Sequence, residues 1–108
     1  MSKKYTVEWA PFTLAPGITE EDLFEASNAL QKDFLSKQEG FVKRELLKGK
    51  DNQWVDLVYW NSKEDAEKAA KAATDSPTCF KYFQLMVAVD HNDPSAGVFH
   101  FEQMKEWR

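Results

Sequence analysis

Apolar and polar positions along this chain change period several times, and each change marks an element. Residues 4–12, KYTVEWAPF, are rich in β-branched and aromatic types and predict a strand. Pro11 has no amide donor and is expected to end the regular pairing there. Pro16 and Gly17 make a turn, and Thr19 followed by Asp22 resembles a capping box at a helix start. Leu23, Ala26, Leu30 and Phe34 recur at helical spacing, which predicts a helix over about residues 20–37. Glu20, Glu21 and Asp22 meet the positive end of its dipole and Lys37 the negative end. Gly40 can take the left-handed conformation that terminates this unit.

Alternation then takes over. FVKRELLK (41–48) predicts a second strand, residues 49–52 a polar turn, and WVDLVYW (54–60) a third strand. Ser62 and Asp65 mark another helix start, after which Ala66, Ala69, Ala70 and Ala73 share one face. Small residues there predict close approach of the helix to a sheet. In DSPTCF, Ser76 can cap and Pro77 suits a first helical turn, so a short helix is expected over residues 78–86, with Phe80, Phe83 and Met86 or Val87 inward. HNDPSAG reads as a loop and VFHFEQM (98–104) as the last strand. The order β-α-β-β-α-(α)-β is that of a ferredoxin-like α+β fold: one four-stranded antiparallel sheet with helices on one face, in a single domain spanning residues 1–108.

Helices cover only one side of such a sheet, so the side-chain alternation of each strand matters. In the third strand Val55, Leu57 and Tyr59 are assigned to the helix-facing core. Trp54, Asp56, Val58 and Trp60 are assigned to the opposite face, which is too apolar for open water. Both faces carry large apolar groups, and a contiguous patch of that kind marks an interface. A homodimer with two sheets face to face satisfies it.

Composition narrows the function. The chain has 108 residues, 43% hydrophobic and 14% aromatic, enough for one modest core without disulfides. The net charge is −4 with lysines and glutamates interspersed, which argues against a nucleic-acid partner. Cys79 is the only cysteine, so there is no disulfide framework and no CxxC site, and a lone thiol suits a reducing cytoplasm. The N-terminus lacks the apolar stretch of a signal peptide, and no 18-residue apolar run suggests a membrane span.

The segments EWAPFTLAPGIT, QEGFVKRELL, DLVYWNSKEDA and DSPTCFKYF together resemble the dimeric α/β-barrel superfamily, and most closely its antibiotic biosynthesis monooxygenase-like domains. The most specific feature is Trp60 ending the third strand, followed by Ser62 and the acidic helix start Glu64 and Asp65. The resemblance implies a dimer whose two sheets form a barrel, with a pocket in each protomer. Some relatives oxidise aromatic polyketides without metal or flavin, and others degrade haem. The haem-degrading branch uses an Asn on the first strand, a Trp within the second helix and a His in the following helical segment. None of the three stands at the matching places here, so haem degradation is not expected.

His100 is the leading candidate for catalysis, because imidazole both takes and gives protons near neutrality, and Glu102 on the same face could orient it. The alternative is a histidine hydrogen-bonded within an interface. Asp56 reads either as a general base or as a salt-bridge partner of Arg44 on the neighbouring strand. Trp54 and Trp60 could stack on a flat ligand or simply fill an interface, and Tyr82 and Arg44 could offer polar groups to it. Cys79 lacks a partner base and reads as structural, and His91 as a loop residue. His91 and His100 lack ligand spacing, so no metal site is expected, and no cofactor. Two functions follow: a cofactor-free monooxygenase acting on a small aromatic or polyketide-like compound, or a non-catalytic dimer that binds a small hydrophobic molecule. An Arg44 that covers Asp56, with side chains filling the interior, would remove the physical basis for catalysis.

Overall fold

A computed structural model describes residues 4–88, 92–93 and 96–108. His91 and most of the loop around it lie outside the described residues. The elements are β1 (Thr6–Thr13), α1 (Glu20–Asp33), a 3-10 turn (Leu35–Lys37), β2 (Phe41–Lys48), β3 (Gln53–Trp60), α2 (Lys63–Ala73), α3 (Pro77–Phe83) and β4 (Phe99–Glu102).

Short-range chemistry sets most of these boundaries. Thr19 Oγ1 accepts from the Asp22 amide at 3.0 Å while Asp22 Oδ2 accepts from the Thr19 amide at 3.1 Å, completing the expected capping box. Ser62 accepts from the Asp65 amide and Ser76 from the Cys79 amide. Each such cap contributes about 1 kcal/mol. The β2–β3 turn places Asp51 and Asn52 at φ 52° and 66°, the left-handed pair that matches the twist of a tight hairpin. Gly40 has φ 81°, and a Cβ there would lie 2.1 Å from Asp65 Oδ2, so no other residue lets β2 start against the first turn of α2. The first helix is shorter than expected: it ends at Asp33, and Phe34 leads into the 3-10 turn.

The four strands form one antiparallel sheet in the order β2-β3-β1-β4. It is open, with β2 and β4 as its edges. The expectation of a dimeric α/β barrel is therefore overturned: the sheet ends in two unpaired edges and is not closed into a barrel. Pro11 does not end the pairing either. β1 stays in register with β3 from Thr6 to Thr13, with Pro11 opposite Val55. On the other side, β4 pairs only as far as Trp9, so little ladder is lost where the proline has no donor.

The largest correction concerns the faces of β3. Trp54, Asp56, Val58 and Trp60 are buried, whereas Val55, Leu57 and Tyr59 are half-buried. The tryptophan-bearing set belongs to the core, with Leu23, Leu30, Ala66 and Ala69 of the helices, and the opposite face of the sheet is left uncovered within one chain. α3 is rotated too. Cys79 and Tyr82 are buried, while Phe80 and Phe83 are 62% and 51% exposed. After α3 the chain returns along β1, with Val87 donating to the Thr13 carbonyl and Met86 bridging to Leu14.

Candidate functional site

Between the helices and the buried face of the sheet lies a cavity of about 690 Å³. Its walls come from every strand and from all three helices and are mostly apolar. Exposed Phe80, Phe83, Val87 and Val98 line it and mark its mouth. The alanines of α2 take part as well: Ala69, Ala70 and Ala73 leave the room that larger side chains would fill. Two polar clusters interrupt the apolar wall.

The first is built on Asp56, which is 7% exposed. Register places Arg44 of β2 opposite Val58, one diagonal step from Asp56 on the same face. Arg44 Nε donates to Asp56 Oδ1 at 3.0 Å, and Nη2 lies 2.8 Å from the same oxygen. Tyr82, brought in by the buried side of α3, donates its hydroxyl to Asp56 Oδ2 at 2.7 Å and accepts from Arg44 Nη2 at 2.9 Å. Arg44 Nη1 donates to the Ser27 carbonyl of α1 at 3.3 Å. One cluster thus ties β2, β3, α1 and α3 together. Burial pushes the Asp56 carboxyl above the usual range, opposed by the Arg44 charge and the Tyr82 hydrogen bond. Burial, and then the neighbouring Asp56 charge, push the Tyr82 phenol up as well.

The second cluster joins β1, β3 and β4. Glu8 stands opposite Val58 on one side and His100 on the other. Its Oε1 accepts from the Trp60 indole N–H at 3.2 Å and lies 3.7 Å from His100 Nε2. That last distance is too long for a hydrogen bond. His100 Nε2 is buried and has no hydrogen-bond partner among the described residues. Burial pushes the Glu8 carboxyl up, with the His100 charge and the Trp60 N–H acting against it and the Asp56 charge adding to it. Glu102 stands opposite Thr6, and the carboxylate beside His100 is that of Glu8.

Arg44, Asp56, Tyr82, Trp60 and His100 therefore all line one cavity. Trp60 is 1% exposed and presents its ring to the wall while stacking edge-on with Phe41. Trp54 does not line the cavity: it packs edge-on against Phe24, with Lys48 over its ring. Cys79 is buried in the wall, its thiol pushed up by burial, in keeping with a structural role. Glu8 was missed in the sequence. A lone carboxylate in an apolar strand was the available signal, but only strand register brings it to His100. Among the described residues no three His, Cys, Asp or Glu side chains converge as metal ligands do. Nor, among those residues, is any helix long and apolar enough to cross a membrane.

The chain matches no protein-family profile and no curated sequence. Its fold is similar to that of several solved structures. SnoaB, a cofactor-independent oxygenase from Streptomyces nogalater, superposes with a TM-score of 0.62 at 19% identity, covering 99% of this chain and 97% of that one. A proposed antibiotic biosynthesis monooxygenase from Bordetella bronchiseptica gives 0.66 at 14% identity, covering 95% and 98%. NE2512, a protein of unknown function from Nitrosomonas europaea, gives 0.65 at 9% identity, covering 98% and 95%. Identities this low establish a common architecture: the chain is a ferredoxin-like domain of the shape seen in these proteins, distant from each in sequence.

Proposed function

We propose that this protein is a cofactor-free monooxygenase acting on a small hydroxylated aromatic or polyketide-like molecule held in the cavity. The observation that carries the reading is the buried, unpartnered His100 Nε2 facing an apolar chamber of multi-ring size. The likeness in fold to a cofactor-independent oxygenase supports it. In this scheme Glu8 takes the phenolic proton while His100 Nε2–H holds the phenolate oxygen, and the electron-rich ring carbon reduces oxygen by one electron. Recombination forms a carbon–oxygen bond. The resulting peroxide loses water as its O–O bond breaks and the ring C–H proton leaves, giving a quinone. Phenol plus oxygen thus becomes quinone plus water. Arg44 is committed to Asp56, Tyr82 and Ser27, and Asp56 has both oxygens occupied. These residues serve as a rigid wall against which Trp60 orients the ring, and Asp56 is not the base.

Oxygen uptake with a panel of phenols and quinols tests this. Wild type should consume oxygen with at least one of them and His100→Ala should not. The second reading, a binding module, is favoured by the occupied Asp56. Clear ligand binding with no oxygen consumed across the panel would select it.

We further propose that a second copy covers the exposed sheet face. Trp9, Leu47 and Phe101 remain 39%, 39% and 57% exposed there, large apolar groups that a partner surface would cover. Sedimentation should give a dimer for wild type and a lone subunit for Trp9→Lys; a lone wild-type subunit at micromolar concentration refutes this.

A further inference from the structure

Glu8 Oε1 and His100 Nε2 stand side by side on the cavity wall. Oε1 and Nε2 lie 3.7 Å apart, too far for a direct hydrogen bond and close enough for one oxygen to reach both at normal length. Both side chains line the cavity, and the indole of Trp60 pins the glutamate from behind. His100 Nε2 is buried with no hydrogen-bond partner among the described residues, a state that costs free energy unless a ligand completes it. The same holds for no polar atom of the Asp56 cluster.

Resting on the reading of this cavity as a substrate site, we propose that Glu8 and His100 together bind a hydroxyl group of a neutral hydroxyaromatic ligand, the hydroxyl donating to Glu8 Oε1 and accepting from His100 Nε2. The chemistry of the walls selects that class. A carboxylate or phosphate would face two acids on the cavity wall, Glu8 and Asp56, while the nearby cation is already paired. A ketone or ether can accept from His100 but has no proton for Glu8. Phe12, Phe34 and Trp60 elsewhere on the cavity wall suit a flat ring. Glu8 becomes the specificity determinant: it accepts a proton only from a ligand that carries a hydroxyl.

Calorimetry with naphthalene, 1-naphthol and 1-methoxynaphthalene tests this on the intact protein. Wild type should bind 1-naphthol at least about tenfold more tightly than its methyl ether, the effect of one hydrogen bond to a charged acceptor. Glu8→Gln keeps an acceptor for Trp60 and should shrink that gap to within about threefold while leaving naphthalene unchanged. His100→Leu should weaken both oxygenated probes relative to naphthalene. A purely structural Glu8 would weaken all three alike in Glu8→Gln, which would overturn the proposal. So would equal binding of 1-naphthol and its ether to wild type, or no binding of any probe. Binding is read apart from turnover. A hydroxyl preference without oxygen uptake keeps this assignment and removes the oxidation, and oxygen uptake without a hydroxyl preference does the reverse.

Discussion

Two polar clusters stand side by side on the buried face of the sheet, and they are finished differently. Around Asp56 the arms are used: the carboxylate takes Arg44 and Tyr82, and the guanidinium also reaches a helix carbonyl. Around Glu8 one oxygen is shared with an indole, and the imidazole nitrogen 3.7 Å away has no hydrogen-bond partner among the described residues. Both sit in the same cavity wall, the Asp56 cluster buried and the Glu8 cluster half-buried. A buried charge whose partners are complete holds elements together, and removing one partner exposes the full cost of the other. A polar atom left incomplete in a cavity wall is open to a ligand. Asp56 stands out in the sequence because it interrupts an apolar strand, and it is the better satisfied of the two, as a salt-bridge partner of Arg44.

The sharpest break of this comparison is Asp56→Ala. It leaves Arg44 buried without its counter-ion and should cost about 3–5 kcal/mol in guanidinium unfolding. A loss under about 1 kcal/mol would mean the cluster is not structural. His100→Ala should do the opposite. Stability should move by less than about 1 kcal/mol, while oxygen uptake on the best phenol falls about 100-fold or more. Tyr82→Phe removes one donor to Asp56 and one acceptor from Arg44, and about 1–2 kcal/mol of stability should go with them. Were its effect confined to turnover, the two clusters would share a role.

The smallest effect is one of pH. Burial raises Glu8 and Asp56 above their ordinary values, so each holds its proton more firmly folded than unfolded. A carboxyl of that kind adds stability that is fully present below its unfolded pKa and is lost as pH rises through its folded pKa. The decline begins upward from about pH 4. Urea midpoints measured across pH should fall less steeply in Glu8→Gln than in wild type. Parallel profiles would show that Glu8 is not raised.

Much of the architecture is legible in residues close together in sequence. The capping box of Thr19 and Asp22, the caps at Ser62 and Ser76, and the hairpin turn at Asp51 and Asn52 appear where local chemistry places them. The Arg44 and Asp56 pairing was legible too, since adjacent strands joined by a four-residue turn can align only narrowly. What could not be read was the sign of an alternation. Residues 54–60 alternate whichever side the helices take, and with large apolar groups on both faces nothing local chooses. The same ambiguity, in a helix of seven residues, let Phe80 and Phe83 compete with Cys79 and Tyr82 for the inward phase.

The order of elements, their caps and turns, and the ferredoxin-like class are written in the linear chain, because they follow from interactions a few residues long. Only the tertiary structure decided which face of β3 is buried, that the sheet stays open, and that Glu8 rather than Glu102 stands beside His100. Those outcomes depend on strand register and on which surface the helices cover. Both are settled by packing between residues as far apart as Glu8 and His100, for which no periodicity carries a signal.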